Sequence, residues 1–343
     1  MSLYSRMVRY KNVQLLLVAA LTAFVIVSCG VNPSVSNSQL ATMTGDCRQI
    51  SHQIGETEIC GKPQRLVALG PDMLELLLAL DVQPVGFGDY VRFEGDYDNP
   101  PQQIPYLGNR ITNPIANVGW SASPSLEALV KVKPDLIVSR ELSADLYATL
   151  SKIAPTLFLK QYDTEANLRA IATAIDTPQA EQVIAQMQQT ISEARQEFAS
   201  TVASHPRVLM LIAAGTSEMR LVSSTDNLCS GLIQELGFQL VYPPNFDPAQ
   251  QNSLPLSVEE LPSLNQADSV IILGFDFALT PTVDEFATHQ VKMAKQRWEK
   301  NAIAQSLRAS QAGRTYFIPA YTCLGLPGPI GTELYLNELQ QMR

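Results

Sequence analysis

The chain has 343 residues, 46% of them apolar and 17% charged, and 33 acidic against 24 basic side chains give a net charge of −9 at neutral pH. That acidic balance argues against a nucleic-acid partner and against a basic membrane-binding face. The apolar share is that of a globular protein, and the length allows two α/β lobes or one large domain, each able to bury a core.

Charge is unevenly placed at the start. Arg6, Arg9 and Lys11 are followed by no charged side chain until Asp46, and Val13 to Val27 forms an apolar stretch. A positive segment followed by an apolar run too short for a confident membrane span reads as an export signal. Val27-Ser28-Cys29-Gly30 resembles the lipobox of bacterial lipoproteins, in which the cysteine is acylated and becomes the new N-terminus. An ordinary signal peptide, or an uncleaved anchor with an incidental cysteine, is the alternative; in each case the body is exported. Loss of residues 1–28 removes the three positive charges and takes the net charge from −9 to −12. Residues 29–45, rich in Ser, Asn and Thr, read as a flexible tether.

Four cysteines lie beyond Cys29, an even number in an oxidising compartment, which allows two disulfides. Cys47 and Cys60 bracket a segment that Gly55 can turn into a hairpin, so they form the better-supported pair; Cys229 with Cys323 is the weaker one. His52, His205 and His289 are too scattered for a zinc site.

From Arg65 the chain alternates buried strands and helices. "RLVALG" is a short strand stopped by Gly70-Pro71, "DMLELLLAL" an apolar helix and "PVGFG" the next strand. The same order recurs at "SLEALVKVKPDLIVSREL" and "ADLYATLSKIAPTLFL", implying a largely parallel sheet covered by helices. Ser123, with Pro124 at the first helical position, and Ser257, with Glu260 three residues on, read as helix starts.

Between Glu165 and Ser204 the period becomes helical, with a break at Asp176-Thr177-Pro178. Val183, Met187, Ile191, Ala194 and Phe198 share one stripe, and Pro178 to Val202 would extend about 37 Å as a helix. After His205-Pro206 the strand–helix alternation restarts with "RVLMLIAAG", "NLCSGLIQELG", "VEELPSLNQADSVIILGF" and "RTYFIPA". Two lobes of similar layout joined by one long helix leave a cleft between them.

No P-loop, Gly-x-Ser-x-Gly elbow or His-Glu-x-x-His is present, and Gly86-Phe87-Gly88 lacks the third glycine of a dinucleotide fingerprint. This shifts weight from an enzyme to a binder. Open α/β sheets bind ligands at strand ends, which singles out Arg140 after "DLIVS", Trp120 before the "SPSLE" turn, and Tyr90 with Arg92 after "VGFGD". A guanidinium suits an oxygen-rich ligand, and aromatics can wall a large one or pack in the core. Arg220, Tyr242, Phe275, Phe277 and Tyr321 are the second-lobe candidates, whereas Trp298 in "KQRWEKNAIAQSL" reads as structural.

Several stretches together resemble the periplasmic iron-siderophore-binding proteins of ABC importers, a family akin to cobalamin and haem receptors. They are "RLVALGPDMLELLLALDVQPVGFG", "VGWSASPSLEALVKVKPDLIVSRELSADLYATLSKIAPTLFL", the single long helix, "LSVEELPSLNQADSVIIL" and "RWEKNAIAQSLRASQAGRTYFIPAYTCLGLPGPIG". The resemblance implies an α/β fold of two Rossmann-like lobes with mostly parallel sheets joined by a single long helix. The expected divisions are 1–28 signal peptide, 29–45 tether, 46–163 N-terminal lobe, 164–204 helical connector and 205–343 C-terminal lobe.

It further implies a non-enzymatic periplasmic protein, lipid-anchored to the membrane through Cys29. Its expected ligand is a ferric siderophore, with iron coordinated by the siderophore and no permanent cofactor or protein metal site. The implied partner is the permease of an ABC importer with its cytoplasmic ATPase; no nucleic acid is involved and a monomer is expected. By motif, Glu127 of "SLEAL" and Glu259 of "SVEEL" map to the acids that dock on the permease, and Arg140 to the first-lobe arginine of anionic-siderophore receptors. The pattern departs from the family at "NLCSGL", which has no arginine before its helix, and at Trp120-Ser121, where hydroxamate-binding relatives often carry an arginine. A hydroxamate or citrate–hydroxamate complex is therefore expected over a catecholate. A cobalamin or haem receptor, a direct ferric-iron binder and an exported α/β enzyme are the alternatives.

Overall fold

The computed structural model describes residues 46–91, 95–140, 144–214, 219–223, 228–244, 246–248, 253–276 and 283–343. Cys29, the tether, Arg92 and Phe277 lie outside the described residues. The description opens with a hairpin. β1 (Cys47–His52) pairs antiparallel with β2 (Gly55–Cys60) in a register that sets Cys47 opposite Cys60, and their sulfurs are bonded.

In β3 (Leu66–Leu69) all four residues are buried, as in a strand covered on both faces. Pro71 then begins α1 (Pro71–Ala79), where its missing N–H costs nothing because that donor would have no intrahelical partner. β4 (Gly86–Asp89), β5 (Ala116–Trp120) and β6 (Ser123–Pro124) follow, then α2 (Leu126–Val132), β7 (Leu136–Ser139), α3 (Ala144–Leu150) and β8 (Thr156–Phe158). The strands form one sheet in the order β6-β5-β4-β3-β7-β8, parallel except for β5 with β6. The helix start expected at Ser123 lies two residues later. Ser123 and Pro124 pair with Trp120 and Gly119, and Ser125 Oγ accepts from Ala128 N at 3.2 Å as the cap.

The connector is α4 (Thr164–Ala174) and α5 (Ala180–Ser204), separated at Asp176, which takes a left-handed φ of 54°. Twenty-five residues make α5 about 37 Å long. Its first turns bury Ala180 and Ile184 in the core of the first lobe, while Ala194 and Phe198 enter that of the second. One continuous helix is therefore anchored in both cores.

The second lobe contains β9 (Arg207–Ala214), β10 (Met219–Val222), α6 (Leu228–Glu235), β11 (Gln239–Leu240), β12 (Ser253–Leu256), β13 (Ser269–Phe275), α7 (Val283–Lys300), β14 (Thr315–Pro319) and α8 (Pro329–Leu339). β13 lies between β9 and β14, and these pairings and β11 with β9 are parallel; β10 and β12 add an antiparallel margin. The helix expected at Ser257 is a 3₁₀ turn over Val258–Leu264 containing Pro262, although the Ser257–Glu260 capping box is formed. Cys229 in α6 is bonded to Cys323 just past β14, and both are fully buried. Trp298 is buried, with its indole N–H on Ser310 Oγ at 3.1 Å.

The lobes share core material. Phe286, Tyr321, Leu326 and Ile330, all from the C-terminal third, belong to the hydrophobic core that α1 and β3 build. Glu75 of α1 accepts from Gly328 N at 2.8 Å and Gly331 N at 2.6 Å, capping the start of α8 across the lobe boundary. Gly328 has no room for a side chain, since a Cβ would stand 2.8 Å from the Glu75 carboxyl carbon. Burial pushes the Glu75 carboxyl up to about 8, against the pull of those backbone donors.

Candidate functional site

The carboxyl ends of β3, β4, β5, β7 and β8 converge on one face of the first lobe, where parallel sheets present ligands to loops. Arg140 follows β7 directly and is 8% exposed. Its Nε donates to the Asp72 carboxylate and to the Tyr90 hydroxyl, and that hydroxyl donates to Asp72 Oδ1 at 2.8 Å. Asp72 sits in the first turn of α1 and Tyr90 just beyond β4, so three strand ends meet in one triad. The guanidinium carbon lies 5.0 Å from the centre of the Tyr90 ring and 5.7 Å from that of Tyr162.

Gly70 makes this approach feasible. Its φ of 115° is outside the usual range of L side chains, and a Cβ there would lie 2.4 Å from Asp72 Oδ1. Burial, and then the Asp72 charge, hold the Tyr90 hydroxyl well above its ordinary value, so it remains a protonated donor. Behind the triad, Asp89 accepts from Tyr90 N at 2.6 Å, Val91 N at 3.3 Å and the Tyr321 hydroxyl at 3.3 Å. Its burial pushes the carboxyl up to about 6.

Tyr90 and Arg140 open onto a cleft of about 360 Å³ together with Trp120, Ser121 and Tyr162. Phe275, Leu324 and Gly325 of the second lobe close the other side. Trp120 is 36% and Phe275 40% exposed, as expected of apolar walls awaiting a cover. A larger groove of about 730 Å³ meets this cleft at Gln161 and Tyr162 and runs toward Met187 and Ile191 of α5. The smaller space is the candidate site, because it holds the guanidinium at the strand ends.

Of the residues singled out in the sequence, Arg140, Trp120, Tyr90 and Phe275 come together here. Tyr321 does not line the cleft. It is fully buried, stacked on Tyr106 at 5.8 Å and edge-on to Phe286 at 5.2 Å, because its hydroxyl finds Asp89 inside the lobe joint. Tyr242 packs beside Phe246 at 5.2 Å against the core of the second lobe, outside the cleft lining. Arg220 also stands outside it, donating from β10 to Ser253 Oγ of β12 at 2.9 Å. Glu127 and Glu259 are exposed in the first turns of α2 and of the 3₁₀ turn, likewise outside the cleft lining.

Asp72, Gln161 and Tyr162 were missed. Each follows a strand that was read correctly, so the strand-end rule that pointed to Arg140 would have found them had it been applied after β3 and β8. Among the described residues, Cys47, Glu58 and Cys60 bring donor atoms within 4.8 Å of one another, but the two sulfurs are joined and offer no thiolate.

A two-lobed α/β protein with an aromatic, arginine-floored cleft at its strand ends belongs to the class of small-ligand binding proteins. The chain is a member of the periplasmic binding protein family, which residues 66–322 match. It is 24% identical to the probable siderophore-binding lipoprotein YfiY of Bacillus subtilis over 312 residues, covering 89% of this chain and 90% of that one. To the Fe(3+)-citrate-binding protein YfmC of the same organism it is 26% identical, covering 87% and 88%. Among solved structures, Staphylococcus aureus SirA complexed with staphyloferrin B superposes with a TM-score of 0.67 at 22% identity, covering 86% of this chain and 98% of that one. The petrobactin-binding protein YclQ of Bacillus subtilis gives 0.67 at 17% identity with the same coverage, a likeness of fold.

Proposed function

We propose that this protein is a substrate-binding protein of an ABC importer that captures a ferric siderophore of hydroxamate or citrate–hydroxamate type in the inter-lobe cleft. The observation that carries the reading is the cleft itself: one arginine backed by a tyrosine hydroxyl, facing aromatic walls from both lobes. Relatives named for siderophore and ferric-citrate binding support the ligand class. Iron would enter already wrapped by its chelator, so the cleft needs hydrogen-bond donors and apolar area rather than metal ligands, and no chemistry is performed on the cargo.

Delivery completes the proposal. Acylated Cys29 would hold the protein at the membrane as a monomer, and Glu127 and Glu259 would meet basic residues of the permease. Leu126 and Val130, 42% and 59% exposed beside Glu127, would give that contact an apolar margin. Among the described residues no helix is long and apolar enough to cross a membrane.

Trp120 at the cleft mouth provides the assay. Fluorescence titration with a ferric tris-hydroxamate, ferric dicitrate, cobalamin and haem should show tight binding of an iron chelate; tight binding of cobalamin or haem alone would reject the reading. Charge reversal at both Glu127 and Glu259 should abolish uptake while leaving ligand affinity unchanged.

A further inference from the structure

The guanidinium on the cleft floor is already engaged. Asp72 is 1% exposed, stands outside the cleft lining and pairs with Arg140, with the Tyr90 hydroxyl closing the triangle. Two more carboxyl groups stand in the same buried region, Asp89 at 3% exposure at the end of β4 and Glu75 at 0% one turn along α1. Among the described residues that line the cleft, Arg140 is the only one with a cationic side chain. A ligand arriving above it meets a neutralised pair, whose field falls off faster than that of a bare cation.

We infer that Asp72 is a specificity-determining residue: by neutralising Arg140 from beneath, it sets the cleft to accept ferric complexes of low net charge and to disfavour polyanionic ones. The inference rests on the siderophore reading and deepens it by naming the residue that fixes the ligand's charge. Asp72 acts through Arg140 and is a positioning residue. The aromatic surfaces of Tyr90, Trp120, Tyr162 and Phe275 would then supply much of the contact, as suits a bulky, weakly charged complex. Gly70, with no room for a Cβ beside Asp72 Oδ1, keeps the acid within reach of the guanidinium.

The test is a charge-graded titration of the full mature protein and its Asp72→Asn variant. Three probes are used: a neutral ferric tris-hydroxamate, ferric dicitrate and a triply charged ferric tris-catecholate. The wild type should bind the neutral complex at least tenfold more tightly than the triply charged one. Asp72→Asn removes the charge and keeps one oxygen acceptor for Arg140; the amide NH2 takes the place of the oxygen that accepts from the Tyr90 hydroxyl, which can accept from it in turn. It should raise affinity by about tenfold or more for the triply charged complex, less for dicitrate, and by less than about threefold for the neutral one. A uniform change across all three, or a wild-type preference for the triply charged complex, would overturn the proposal.

A ligand-free measurement stands beside it. Modification of Arg140 by phenylglyoxal, followed by peptide mapping, should speed up several-fold in Asp72→Asn, and an unchanged rate would overturn the role of Asp72 alone. Wild-type protein that binds none of the three complexes would instead sink the siderophore reading, and the ligand class inferred here with it.

Discussion

Asp135 in the first lobe and Asp268 in the second do the same job. Each precedes a buried parallel strand, and each accepts from the backbone N–H that opens the neighbouring central strand, Arg65 N at 2.7 Å and Arg207 N at 3.1 Å. The arginines then diverge. Arg207 doubles back to Asp268 with Nη2 at 2.9 Å, while Arg65 Nε reaches Val132 O at 3.0 Å at the end of α2. At the cleft the lobes differ more. The first contributes buried Arg140 and half-buried Tyr90, tied to Asp72 and built into its fold; the second contributes the exposed ring of Phe275, with Leu324 and Gly325 beside it. Matching scaffolds thus support unequal halves of a site, one whose polar floor is built into the fold and one whose aromatic wall is exposed.

The comparison can be broken most forcefully through the disulfides. Cys229–Cys323 closes a separation of 94 residues inside the second lobe, Cys47–Cys60 one of 13 in an exposed hairpin. Loop-closure entropy predicts that replacing the first pair by alanine costs about 4.7 kcal/mol and the second about 3 kcal/mol, measured by urea denaturation. Equal losses would mean that the longer closed loop adds nothing to what the second lobe gains from its staple.

Next comes the unequal sharing of the site. Arg140→Ala leaves the Asp72 carboxylate buried without its guanidinium and should cost about 4 kcal/mol of stability besides ligand affinity. Phe275→Ala should leave stability within about 0.5 kcal/mol and weaken binding by about 1 kcal/mol, roughly fivefold. Thermal melts with and without ligand separate the two, and a large stability loss at Phe275 would erase the distinction.

A pH-dependent effect concerns the joint between the lobes. The Glu75 carboxyl titrates near 8 in the folded protein, above its unfolded value, so between the two the folded state holds a proton that the unfolded state has released. Its stabilisation is complete at low pH and is lost as pH rises toward 8; Asp89 behaves alike as pH rises toward 6. Unfolding free energy should fall by about 2–3 kcal/mol between pH 6 and 8 on account of Glu75, and Glu75→Gln should flatten that slope.

Much of the layout was legible because buried parallel strands advertise themselves. "LVAL", "LIVS" and "SVIILGF" are apolar runs ended by Gly, Ser or a polar turn, and they became β3, β7 and β13. The margins were not legible. β12 contains Pro255, which lacks an amide donor and is tolerated at a sheet edge, so "SLPL" gives no strand signal until β10 is seen beside it. The site divided in the same way: strand-end position pointed to Arg140, Tyr90, Trp120 and Phe275, but an aromatic after a strand can face either way, and Tyr321 turned inward.

By itself the sequence determined the alternation of strands and helices, the single long connector and the cysteine junction at its start, because hydrophobic period, Gly and Pro positions and charge are local properties. Only the tertiary structure decided which carboxylate meets Arg140, that Tyr321 and Ile330 complete the core of the other lobe, and that Glu75 caps a helix more than 250 residues away in the chain. Those contacts join segments distant in sequence, so packing and burial select them, and no local pattern encodes the partner.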